Sequence, residues 1–496
     1  MAASSLNDFP DRLSPMLVKE LRQGLRARSF IAVFLSLQIF LGLVLLSASA
    51  SASSDRTGSV ISGIIFLFFS LAVLVVQPLR GVGSLSSEIK GGTIDMMVLT
   101  RLSASRIIFG KWIAIVGQSA LLLSTIVPYL ILRYFFGGMN LFAEIVLLGL
   151  IFITSMALTA VTVGLSGSSS VVLRSIIPLM GTPVLIWTVF MLAFSDRQFG
   201  SLIELCTMES FEARVTVVTY LASIIYLAWS MMSLGASLIA PAAENHSTLR
   251  RLIALALMGL VAILCLTIDM AQGAVPLFIM IIATPAIATA LTESAPLVPT
   301  VCVPFVRRGP LGSLTGRFLM PGWPAGVFFS LLLLAIGLLS LGYQDSKATS
   351  LFEPEIWIVT LSLFGGLLLP GVLVIFFRAG ESQRVANYLL LLIALGVSAT
   401  VLTGIAEAMS NRSFLWLFIW NPFVFLPMMN MSRFDNDGLL AGIIIVDGIL
   451  AAALAARALV AMRAQAPVLQ QAREILELSP LPPTPTRNSP AITEGE

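Results

Sequence analysis

The chain has 496 residues, 57 % of them hydrophobic and 11 % charged, with a formal net charge of +3 and a mean hydropathy of +0.97. Soluble globular domains carry about a quarter charged residues, so this composition excludes a soluble enzyme or nucleic-acid binder and predicts an all-α, polytopic integral membrane bundle. Three scattered cysteines (Cys206, Cys265, Cys302) and one histidine, His246 in the polar stretch AENHSTLRR, predict no disulfide framework, no metal site and no catalytic imidazole.

The first element is SPMLVKELRQGLRARSF. Ser14 can cap a helix whose first position suits Pro15. Leu17, Val18, Leu21 and Leu25 then recur at helical spacing, while Lys19, Glu20, Arg22, Arg26 and Arg28 fill the remaining faces. The pattern predicts a basic amphipathic helix within residues 1–29, lying in the inner headgroup layer, as an anchor alone or also as a docking element.

The apolar run that follows ends in LLSASASASS, which has the small residues of a cleavage site. About 28 residues precede the run, and it is about 20 residues long, too much on both counts for a signal peptide; it predicts a retained first span. Runs near the roughly 20 apolar residues that cross a bilayer recur at about 30–50, 59–79, 112–132, 141–164, 176–194 and 215–240. A second set falls at about 252–271, 273–291, 324–343, 356–377, 386–406 and 438–460. This predicts about 12 transmembrane helices in a first unit, 30–241, and a second, 242–460, laid out alike. A 6+6 duplication and a coincidence of span number both fit. With the N-terminus in the cytoplasm, twelve crossings place most of the 29 basic residues inside, together with both termini. The run FLWLFIWNPFVFLPMM at 413–429 would invert that order as a full span. Pro422 and Pro427 break it, so it reads as a re-entrant element on the outer face before the last span. Residues 461–496, ending in SPLPPTPTRNSPAITEGE, read as a largely disordered cytoplasmic tail.

Between the second and third spans, residues 84–111 stay polar over a length far beyond a plain connection. Ser86 or Ser87 can cap a short helix bearing Glu88, which Gly91 and Gly92 end. A second short helix, TIDMMVLT, is capped by Thr93, carries Asp95 in its first turn and sets Ile94, Met97 and Val98 on one face; Ser103 then starts the helix of the third span.

The stretch EIKGGTIDMMVLTRLSASRIIFGKW resembles the permease subunits of type-2 ABC exporters. The residues that carry the likeness are Glu88, Gly92, Thr93, Asp95, Met96, Met97, Leu99, Thr100, Leu102, Ser103, Ile107, Gly110 and Lys111. The N-terminal helix similarly looks like the family's interfacial helix, and NPF at 421–423 like its break before the last span. Arg101 stands where the family commonly has Pro, and the chain is twice the length of one six-span unit. The resemblance implies a coupling loop (Glu88, Gly92, Thr93, Asp95, Met97, Val98, Thr100) that seats in a cytoplasmic ABC ATPase subunit, in a plasma (inner) membrane exporter that works alone or with a second permease chain. The second half's loop, TESAPLVPTVCVPFVRRGPLGSLTGRF, lacks the Gly-Thr motif.

The chain itself is not expected to be an enzyme or to bind a cofactor. A phosphate-cradling loop needs G-x-x-x-x-G-K-[S/T]; the one Gly-Lys, Gly110 with Lys111, has Ser105 and Trp112 at the flanking positions. ATP would be used by the partner subunit. Intramembrane polar residues are site candidates by default, here Asp447 in the last span and Gln118 in the third, while Glu144 and Asp269 are expected nearer the outer boundary, within reach of water. Asp447 reads as a structural hydrogen bond or protonated group on a polar path, or as the ion-coupling acid of a secondary transporter, the alternative function. The apolar spans do not specify a substrate.

Overall fold

A computed structural model of the chain describes residues 15–50, 57–91, 103–134, 140–168, 170–240, 245–268, 274–294, 298–347, 354–376, 383–409, 412–429 and 435–478. Among these residues all regular structure is helical. The first half runs through α1 (Pro15–Leu25), α2 (Arg28–Ala50), α3 (Thr57–Ser70), a π-helical turn Leu71–Val76, α4 (Gln77–Gly81), α5 (Ser86–Lys90), α6 (Ala104–Tyr134), α7 (Leu141–Ser166), α8 (Val171–Phe194), α9 (Asp196–Thr207) and α10 (Phe211–Ile239). The second continues with α11 (Ser247–Thr267), α12 (Ala274–Thr292), α13 (Val303–Val306), α14 (Gly309–Leu319), α15 (Trp323–Lys347), α16 (Pro354–Phe376), α17 (Arg384–Ala408), α18 (Phe425–Met429), α19 (Asn436–Ala464) and α20 (Ala466–Leu478).

Eleven helical segments among the described residues are long and apolar enough to cross a membrane. The predicted span 176–194 falls on α8, whose described apolar run is the shorter Leu179–Ala193. Large apolar side chains stand exposed along the spans, among them Leu43, Leu46, Val184, Leu339 and Ile445. A water-soluble fold would not tolerate such a surface; the chain is a multi-pass membrane protein.

Small residues set the closest helix crossings, as they do where lipid removes the hydrophobic drive between helices. A Cβ on Gly164 of α7 would run into the Met231 carbonyl of α10, and one on Gly235 would run into Gly164 itself. Backbone cannot yield as a side chain can. Gly164→Ala is therefore expected to cost about 1–3 kcal/mol by forcing the two helices apart, read as a lower melting temperature in mild detergent; no loss of stability would contradict this crossing. The two halves meet where Tyr226 of α10 joins a core built from α11, α12, α15, α16, α17 and α19.

The segment before the last span is irregular, as its prolines require. It forms 3-10 turns at Arg412–Phe418 and Pro422–Val424 and the single turn of α18. Asn421 is buried; its side-chain amide donates to the Leu395 carbonyl (3.0 Å) and Ser398 Oγ (3.1 Å), while its Oδ1 accepts from the Phe423 N–H (3.2 Å). Gly365 and Gly366 of α16 leave the space that Pro422 and the Phe423 ring occupy.

The tail differs from expectation. Residues 466–478 form α20, an amphipathic helix whose Ala472, Val468 and Leu469 pack on Cys302, Phe305 and Met320. Burial of that apolar face, available only once α13 and α14 are in place, holds this part of 461–496 in a fold; residues 479–496 lie outside the described residues.

Candidate functional site

A polar cavity of about 550 Å³ opens where α1, the α4–α5 turn and the start of α6 converge. Lys111 is its centre. Its ammonium reaches Glu20 Oε1 of α1 at 3.1 Å and Glu88 Oε1 of α5 at 2.9 Å, and its side chain is 5 % exposed. A cation this buried requires paired carboxylates, and here the two acids come from two surface helices. One base thus ties both helices to the third span.

Arg80, at the end of α4, makes the second junction. Its guanidinium donates to the Gly24 carbonyl in the last turn of α1 (3.1 Å) and to Gln118 Oε1, and lies over the Phe30 ring. A cation at a helix C-terminus satisfies carbonyls that have no intrahelical donor. Gly24 and Gly117 permit the approach: a Cβ on the first would overlap the Gln118 amide, and the second lies against Leu21. The amphipathic helix predicted at the N-terminus is therefore seated on α6, with Lys19, Arg22 and Arg26 exposed.

The second half carries a comparable junction that sequence reasoning missed. Glu293, just past α12, takes Arg250 at 3.1 Å and Arg251 at 2.5 Å, both from the first turn of α11 and both buried. Arg251 also donates to the carbonyls of Phe318 (3.1 Å), Met320 (2.6 Å) and Gly322 (3.0 Å), and Thr248 Oγ1 donates to Leu319 O (3.0 Å). These are the free carbonyls at and just beyond the end of α14. The Gly322 N–H donates to Glu293 Oε2 (3.2 Å) from a backbone with φ 110°, a conformation open to glycine. Burial acts to raise the Glu293 pKa, but Arg251 and Arg250 outweigh it and hold the carboxyl below its ordinary value.

Of the predicted site residues, Lys19, Glu20, Glu88 and Gln118 line the Lys111 cavity. Gly92, Thr93, Asp95, Met97, Val98 and Thr100 lie outside the described residues. Asp447 is not near Gln118: it sits against Gly365 and the NPF turn in the second half, and its Oδ1 is buried without a hydrogen-bond partner among the described residues. Glu144, expected within reach of water, is instead 3 % exposed and accepts a hydrogen bond from Ser62 Oγ at 3.1 Å, because α9 packs over the start of α7 and α3 brings the Ser62 hydroxyl to it. Asp269 lies outside the described residues.

The signal for the missed junction was the doublet Arg250–Arg251 beside an apolar run, with Glu293 opening the next long loop. No family model, curated protein or solved structure matches the chain.

Proposed function

We propose that the chain is the permease subunit of an ABC-type exporter, driven by a separate cytoplasmic ATPase subunit that consumes the ATP. The observation that supports this reading is the Lys111 junction, since it links the helix carrying Glu88 to both α1 and the third span. A load applied to the 84–111 loop would pass into α6 through a buried ion pair instead of dissipating in a slack connection. Glu88 and Glu20 are then positioning residues, and Gly92, Thr93, Asp95, Met97, Val98 and Thr100 are the loop residues assigned to contact with the ATPase. In this reading the chain is not itself an enzyme and binds no cofactor. It crosses the inner membrane twelve times with both termini cytoplasmic, α8 included and 412–429 re-entering from the outer face, and works alone or beside a second copy.

A photo-crosslinking residue at Met97, with Leu43 on the lipid-facing side of α2 as control, tests the docking surface. The expected result is an adduct from position 97 to a protein bearing a phosphate-binding loop, absent from position 43. The same adducts from both positions, or no ATPase adduct at 97, would contradict the reading.

The unpartnered Asp447 Oδ1 favours a second reading, an ion-coupled transporter. The permease reading predicts that Asp447→Asn, which keeps the shape, leaves ATP-dependent turnover of the purified complex within about twofold, because only ion coupling needs the ionisable group. Transport that proceeds without ATP down an ion gradient and is lost ten-fold or more in Asp447→Asn would favour the ion-coupled alternative.

A further inference from the structure

A second cavity, of about 600 Å³, lies between the two halves, bounded by α4, α7, α8 and α10 on one side and α12 and α17 on the other. Its size falls within the range of about 300–1,000 Å³ typical of ligand pockets. Its chemistry is the opposite of the Lys111 cavity: no charged side chain lines it, and its few polar groups are threonine hydroxyls.

Two helices that border it depart from the regular ladder. Leu74 and Val75 come from the π-helical turn, a feature concentrated at functional sites. Ser155 Oγ donates to the Val73 carbonyl at 2.5 Å and so stabilises the turn. Pro285, within α12, lacks the N–H that would bond the preceding turn. Met180 and Val184 of α8 line the cavity and are also exposed on the span surface, so it opens sideways toward the bilayer. Its lining residues fall in the halves of their helices nearest the two ionic junctions, except on α8, which contributes its middle.

We propose that this cavity is a binding site for one acyl chain of a bilayer phospholipid, entering laterally from the leaflet on the side of the Lys111 and Glu293 junctions. At that depth the surrounding solvent is hydrocarbon. Its walls offer almost no polar groups to hold ordered water, and an aliphatic chain restores the contacts they would otherwise lack. The assignment is independent of the partner ATPase.

The test uses the full chain in nanodiscs of phosphatidylcholine carrying a diazirine in one acyl chain, irradiated without ATP and mapped by mass spectrometry. Labelling at residues 180–185 and 284–288 is expected to exceed that on the lipid-facing Leu43 and Leu46 of α2 several-fold. Gly181→Phe should reduce it to the α2 level without loss of folding, because a Cβ at Gly181 meets nothing within 4 Å. Labelling no stronger than on α2 in the wild type, a comparison that needs no variant, would overturn the proposal. So would undiminished labelling in a folded Gly181→Phe.

Discussion

Glu293→Gln is expected to be the most damaging single substitution described here, costing about 3–5 kcal/mol, the usual loss when one member of a buried ion-pair cluster is removed. Arg250 and Arg251 are 4 % and 2 % exposed, and Glu293 carries the charge that answers both. Gln preserves the volume but turns one acceptor into a donor facing donors, so geometry does not rescue it. The effect carries a pH signature. Because the folded pKa of Glu293 is depressed, its contribution is fully present above the unfolded value near 4.3 and is lost as pH falls through the lower folded value. Denaturation in mild detergent should show the wild-type advantage over Glu293→Gln flat above about pH 5 and shrinking below about pH 4. An advantage independent of pH throughout would show that the carboxylate charge is not its source.

Lys111→Met is expected to cost about 2–4 kcal/mol, less than the Glu293 change because its acids are 20 % and 12 % exposed and water can partly solvate them. The local consequence is more specific than the global one. With the shared ammonium gone, α1 and α5 lose their common tether, and backbone amides of residues 17–25 and 86–90 should exchange hydrogen faster than those of α6. Unchanged protection at α1 and α5 would mean that apolar contacts of Leu21 and Leu25, not Lys111, hold these helices.

The spans were legible because each is a continuous apolar run, a signal that depends on neighbours in sequence alone. The same holds for α1, whose hydrophobic face recurs at helical spacing, and for the break at Pro422. The junctions were not legible in the same way. Lys111 lies 91 residues from Glu20, and Arg250 lies 43 from Glu293, separations at which no periodicity links a base to its acid. Gln118 and Asp447 share only being polar in an apolar run: Gln118 is engaged by Arg80, and Asp447, in α19, sits against Gly365 beside the NPF turn. Composition also hid α20: the Pro-rich end of the tail dominated the reading, although Val468, Leu469 and Ala472 already shared one face. The glycine pair 365–366 could be recognised as tolerable in a span, but its use, making room for Pro422 and Phe423, required the three-dimensional fold.

Coupling to a separate ATPase is tested most directly by purifying the full chain from its native membrane in mild detergent and measuring the stoichiometry of co-purifying proteins by mass spectrometry. Met97→Asp is the variant to compare; Glu88→Lys would also place a second ammonium against Lys111 and disturb the fold. The account predicts one or two phosphate-loop ATPase subunits per wild-type chain, and their loss from a Met97→Asp chain that keeps its wild-type melting temperature. A wild-type chain isolated without any such ATPase, under conditions that preserve other membrane complexes, would contradict it.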